Sequence, residues 1–155
     1  MNNSTNGRPV WNVLAAKAQK ELRQAQLTLA DMHQRKQQAV ERDEKLEQLL
    51  VEYALQLTEV QQRAHSTSEA GNYRQFINQL QDIKIRAKNE IQALENDCKD
   101  ARQTLVAADC ERLKLESLAQ RAEDKQNQQL ASQEAKRAEA ENIIQYNLRE
   151  MLRRQ

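Results

Sequence analysis

The sequence predicts an all-α chain built as one long antiparallel two-helix coiled coil, a helical hairpin, and three observations predict it. The first is what the composition lacks. In 155 residues there are two glycines and one proline, too few for the many turns a compact globule needs. Gln, Ala, Leu, Glu, Lys and Arg, all strong helix formers, fill the chain, and aromatic residues are 3% of it, too little bulk for a broad core. The second observation is a sevenfold apolar repeat in two long stretches. The third is that one interior stretch, His65-Ser66-Thr67-Ser68-Glu69-Ala70-Gly71-Asn72, breaks the repeat with the glycine and clustered short polar residues of a loop.

The elements follow in order. Residues 1–9 are polar and read as a flexible N-terminus; Pro9 suits the first turn of a helix, so helix 1 should start near residue 10 and run to about 65. At about 1.5 Å per residue this is roughly 80 Å. One core position recurs as Ala18, Ala25, Met32, Ala39, Leu46, Tyr53 and Val60; its companion reads Ala15, Leu22, Leu29, Lys36, Asp43, Leu50 and Leu57, broken only at Lys36 and Asp43. A mean spacing near 3.5 residues held for so long is the mark of a left-handed coiled coil. After a loop at about 66–72, helix 2 repeats the pattern at Tyr73, Leu80, Ala87, Leu94, Ala101, Ala108, Leu115 and Ala122, with Ile77, Lys84, Ile91, Cys98, Leu105, Arg112 and Ala119 as companions.

So short a loop favours antiparallel neighbours. Pairing Ala64 with Tyr73 would set Val60 level with Ile77, Leu57 with Leu80, Leu46 with Ile91 and Leu22 with Leu115. In that register Lys36 would face Ala101 and Asp43 would face Leu94, so both should reach out to water. The hairpin should therefore occupy residues 10–125. Residues 126–155 should form a C-terminal helical extension that outruns helix 1, carrying an apolar stripe of Ile143, Ile144, Leu148, Met151 and Leu152, which reads equally as a frayed helical tail or as a partner-binding helix.

Charge and motifs exclude several function classes. With 24 basic and 23 acidic residues interspersed to a net +1, the surface exerts little long-range pull on nucleic acid or anionic lipid. No run approaches the ~20 apolar residues that cross a bilayer, and the polar N-terminus has no apolar signal core. Cytoplasmic residence without direct membrane insertion is the expectation. Cys98 and Cys110 lie roughly 18 Å apart on one helix, beyond disulfide reach; His33 and His65 have no partner at metal-ligand spacing. Two glycines cannot build a phosphate-cradling loop, and no nucleophile, base and orienting group converge. The chain is expected to be a binding protein rather than an enzyme, with no cofactor and no metal.

Near the hairpin turn there is more apolar surface than two helices can use. Leu49, Phe76 and Ile83 all stand at the position just before a core residue, where coiled coils usually place Glu, Gln, Lys or Arg. They share one flank, which reads as a partner surface.

Tyr53 and the string Asn72-Tyr73-Arg74-Gln75-Phe76-Ile77-Asn78-Gln79-Leu80 resemble the FliJ family of flagellar type III export proteins, with its Leu/Tyr-rich end to helix 1 and Asn-Tyr-x-x-Phe-like opening to helix 2. The likeness covers roughly residues 14–122, including the run Leu113 to Arg121; the polar residues Met1 to Pro9, Trp11 and the long tail depart from it. The resemblance implies a coiled-coil stalk that links the export ATPase ring to the cytoplasmic domain of the export gate, a link to export chaperones, and peripheral association with the inner membrane through the export apparatus. It implies gate-facing residues Leu46, Leu49, Tyr53, Phe76, Leu80 and Ile83, which overlap the flank, and an ATPase-facing end with Leu14, Leu22, Ile143, Ile144, Leu148, Met151 and Leu152. The free chain is expected to be monomeric. A generic coiled-coil scaffold, for instance a parallel homodimer, and the equivalent stalk of a virulence secretion system remain the alternatives.

Overall fold

The computed structural model describes residues 7–63 and 67–155. They form two helices, α1 (Gly7–Gln62) and α2 (Thr67–Arg153), packed against each other, and no strand occurs among the described residues. The all-α hairpin is thus the observed fold. The chain divides into two compact units, Leu22–Ala108 and a second that joins the stretch ending at Glu21 to Asp109–Gln155.

Both helix starts differ from expectation. α1 begins at Gly7 rather than near residue 10, so Gly7 to Pro9, assigned to a flexible N-terminus, are helical; residues 1–6 lie outside the described residues. Pro9 sits in the first turn, where its missing N–H has no helical acceptor to satisfy. α2 begins at Thr67, so the expected loop at 66–72 is helical from Thr67 onward, and residues 64–66 lie outside the described residues. Short polar residues serve helix N-termini as readily as loops, and Glu69 falls in the first turn of α2, where the helix dipole favours a negative side chain. Gly71 is tolerated inside the helix at a cost of about 1 kcal/mol relative to alanine. Packing does not demand it, since a Cβ there would meet nothing within 4 Å.

In the Leu22–Ala108 unit the heptad positions chosen from sequence are the ones withdrawn from solvent. Leu22, Ala25, Ala39, Val60, Leu80, Cys98 and Ala101 are buried, and Leu29, Met32, Leu46, Leu50, Leu57, Ile77, Ile91 and Leu94 are half-buried. In the other unit Ala18 is buried, and Ala15, Leu115, Leu118, Ala119 and Ala122 are half-buried. Apart from Leu22, Val60 and Leu80 the buried side chains named are Ala and Cys, and among the described residues no large side chain is completely enclosed. Two helices without a third layer can do no more.

The register differs from the expected one by about one heptad. Lys84, expected opposite Tyr53, pairs instead with Asp43 at 3.3 Å and Glu47 at 2.7 Å. Lys36 pairs with Glu95 at 3.6 Å rather than facing Ala101, Arg42 reaches Glu90 at 3.0 Å, and His33 Nδ1 lies 3.9 Å from Cys98 Sγ. Partner numbers fall as α1 numbers rise, so the helices are antiparallel. A shift of seven residues returns every apolar position to the same face, and the repeat alone is blind to it. The charges are not. In the observed register Asp43 and Lys36 are bridged by an opposite charge on the other helix, whereas in the expected one each faced an apolar residue. The Lys84 side chain is 17% exposed; its hydrogen bond to Glu47 raises its pKa above the ordinary 10.5, burial opposes this, and Asp43 adds to the rise. The register also explains why Ala70 is buried: a one-heptad shift sets it level with Val60.

Cysteine cross-linking discriminates the registers. In a chain carrying Cys98→Ala and Cys110→Ser, Leu50→Cys with Leu80→Cys should form an intramolecular disulfide on mild oxidation. Leu57→Cys with Leu80→Cys should not, because the residues would be offset by a heptad, roughly 10 Å along the axis. The reverse result would restore the expected register.

Candidate functional site

The flank beside the turn lies in the Leu22–Ala108 unit, on the C-terminal turns of α1 and the N-terminal turns of α2. Of the six residues placed there from sequence, Leu49, Phe76 and Ile83 are exposed, at 39%, 40% and 46%. Leu46 and Tyr53 are half-buried, and Leu80, 5% exposed, belongs to the seam. Leu80 therefore presents no surface and acts as support. In the observed register Leu49 is level with about residue 81 and Ile83 with about residue 47, so the two are axial neighbours; Phe76 is level with Tyr53.

Tyr53 joins seam to flank. Its ring meets Phe76 edge-on, with centroids 4.6 Å apart and planes inclined by 62°. Tyr73 stands 6.2 Å from the same ring, inclined by 49°. Edge-to-face pairs of this kind contribute about 0.5–1.5 kcal/mol beyond the area they bury. Tyr53, Tyr73 and Phe76, with Glu69 and Asn72, line an open groove of about 410 Å³. Sequence reasoning missed Glu69 as a lining residue because it was assigned to the loop. The signal was its place in an N-capping segment, four residues before Tyr73 and thus on the same helix face.

Of the residues placed at the other end, Leu14 is 37% exposed, and Ile143, Ile144, Leu148, Met151 and Leu152 are exposed at 54% to 73%. Leu22 is buried at 7%, so it is a seam residue rather than a contact surface, and it lies in the other unit. The stripe from Ile143 to Leu152 sits on a helix that stays continuous to Arg153, with residues 127–149 all exposed. In the same unit Arg112, at a seam position, turns back onto Asp109 at 2.8 Å and Glu116 at 2.9 Å. Hydrogen bonds to Asp109 and then Glu116 raise its pKa.

Among the described residues no group of three or more His, Cys, Asp or Glu side chains could hold a metal ion, and no helix is long and apolar enough to cross a membrane. Cys98 and Cys110 are free thiols. The chemistry these surfaces offer is chiefly apolar and aromatic contact, with the carboxylate of Glu69 and the amide of Asn72 beside the aromatic rings.

A family model described as Flagellar FliJ protein matches residues 12–147. No curated protein and no solved structure matches the chain.

Alanine substitutions separate flank from seam. Leu80→Ala and Leu57→Ala remove seam side chains and should destabilise the hairpin by about 2–5 kcal/mol. Leu49→Ala should cost well under that, and Phe76→Ala about 1 kcal/mol more than Leu49→Ala through the lost contact with Tyr53. Thermal and urea unfolding followed by far-UV circular dichroism read the difference. Equal losses in all four variants would make the flank ordinary core.

Proposed function

Because the chain belongs to the FliJ family and so to the flagellar export apparatus, we propose that it serves export as a non-catalytic link, its flank beside the hairpin turn docking on the cytoplasmic domain of the export gate. The observation that carries this reading is the exposure of Leu49, Phe76 and Ile83, which their heptad position assigns to one flank of the seam. Their stretch of chain lies inside the family match. Docking hides apolar side chains that the fold itself leaves in water, and that burial is the driving force.

In the same reading Leu14 and the stripe Ile143 to Leu152 engage the export ATPase ring. That contact would place the protein between an engine and a channel, a position from which it can also meet export chaperones. The chain acts as a monomer in the cytoplasm and reaches the inner membrane only through the apparatus.

The test is affinity, measured separately for each partner. A Leu or Phe side chain buried in an interface contributes roughly 1.5–3 kcal/mol, so Leu49→Ala or Phe76→Ala should weaken binding of the gate domain tenfold to more than a hundredfold. Neither should alter stimulation of ATPase ring assembly. Deleting residues 130–155 should do the converse while leaving the helicity of the hairpin intact. Gate binding untouched by both flank variants, with full ATPase stimulation after the deletion, would reduce the protein to a spacer.

A further inference from the structure

The chain has one Trp, three Tyr and one Phe, and three of these five aromatic residues meet beside the turn. The Tyr53 ring is inclined to that of Tyr73 by 49° and to that of Phe76 by 62°, rather than stacked in parallel with either. Inclined rings form walls, and the groove they line remains open at about 410 Å³. Among the described residues that line it, the one charged side chain is the carboxylate of Glu69, and Asn72 supplies an amide oxygen and an amide nitrogen.

These groups agree on the sign of the guest. The face of an aromatic ring carries negative electrostatic potential, which draws a cation placed over it. Glu69 draws a cation too and repels an anion. A neutral aliphatic side chain would fill the groove without using the negative charge at its edge. Between the two basic side chains, arginine fits better: its guanidinium is planar, stacks on rings, is weakly hydrated, and carries five donors in a fork suited to a carboxylate. That many donors can join a carboxylate that already has another partner.

We propose that this groove is a socket for an arginine side chain projected by the protein that docks on the flank, which on the reading above is the gate domain. The apolar residues Leu49 and Ile83 then supply area, and the socket supplies orientation.

The probe is ethylguanidinium, with ethylurea as its neutral isostere, titrated into the full chain while the ring resonances of the tyrosines and Phe76 are followed by NMR. Ethylguanidinium should shift Tyr53, Tyr73 and Phe76 saturably in the millimolar range and leave Tyr146 unmoved. Ethylurea should shift them little. Glu69→Gln should weaken the ethylguanidinium response roughly two- to fivefold, as expected for a solvent-accessible charge pair. Equal response to ethylurea, a response without saturation, or no effect of Glu69→Gln overturns the socket.

Gate binding is read independently. A saturable ethylguanidinium response in a chain that fails to bind the gate domain supports the socket and overturns the choice of partner. Gate binding that Phe76→Ala abolishes but Glu69→Gln leaves unchanged overturns the socket and leaves the docking flank standing.

Discussion

Everything in this molecule depends on a seam only two helices wide. Each helix can offer its partner one narrow stripe, and among the described residues no third layer closes over the rest. The hidden residues are accordingly small or aliphatic, Ala18, Ala25, Ala39, Cys98 and Ala101 among them, and bulky side chains are covered only in part. Stability is spread over many thin layers, each modest. Such a seam holds its partners in register poorly by shape alone, because alanine layers look alike. The bridge from Lys84 to Asp43 and Glu47 is where the two helices become distinguishable from their own translates. Desolvating a charge without a partner costs far more than a paired one repays, so the polar layers act by penalising the wrong register.

The same narrowness gives the flank its meaning. In a thick core, an apolar residue beside the seam would simply enlarge the interior. Here it has nothing to enlarge into, and Leu49, Phe76 and Ile83 stay in contact with water. Tyr53 ties this surface to the fold: it holds a core position and yet meets Phe76 at 4.6 Å. On the proposed reading, substitution of Tyr53 should disturb stability and docking together, whereas substitution of Leu49 should bear mainly on docking.

How legible this was in the sequence depended on which physical quantity carried the signal. The faces of both helices were readable, since the period of the repeat decides which side chains point inward, and the residues from Ala18 to Ala122 chosen on that ground are withdrawn from solvent. The flank was readable for the same reason. Register was not, because a heptad repeat maps onto itself when shifted by seven, and only pairings across the hairpin such as Lys36 with Glu95 break the symmetry. The start of α2 was obscured because Thr67, Ser68 and Glu69 have the chemistry of a loop and of a helix cap alike. Leu22 and Leu80 were placed among contact residues although their heptad positions already assigned them to the seam. Glu69 was missed as a groove residue as a consequence of the misplaced helix start.

The central claim is that apolar surface left over by the seam, on the flank beside the turn, is the docking surface of this export component. Hydroxyl-radical footprinting of the full chain, with and without the gate's cytoplasmic domain, tests it side chain by side chain. Labelling of Leu49, Tyr53, Phe76 and Ile83 should fall on complex formation, while the exposed Leu55, Ile85 and Leu113 keep their reactivity. Protection confined to Leu55, Ile85 or the stripe from Ile143 to Leu152, with Leu49 and Phe76 labelled as in the free chain, would contradict it.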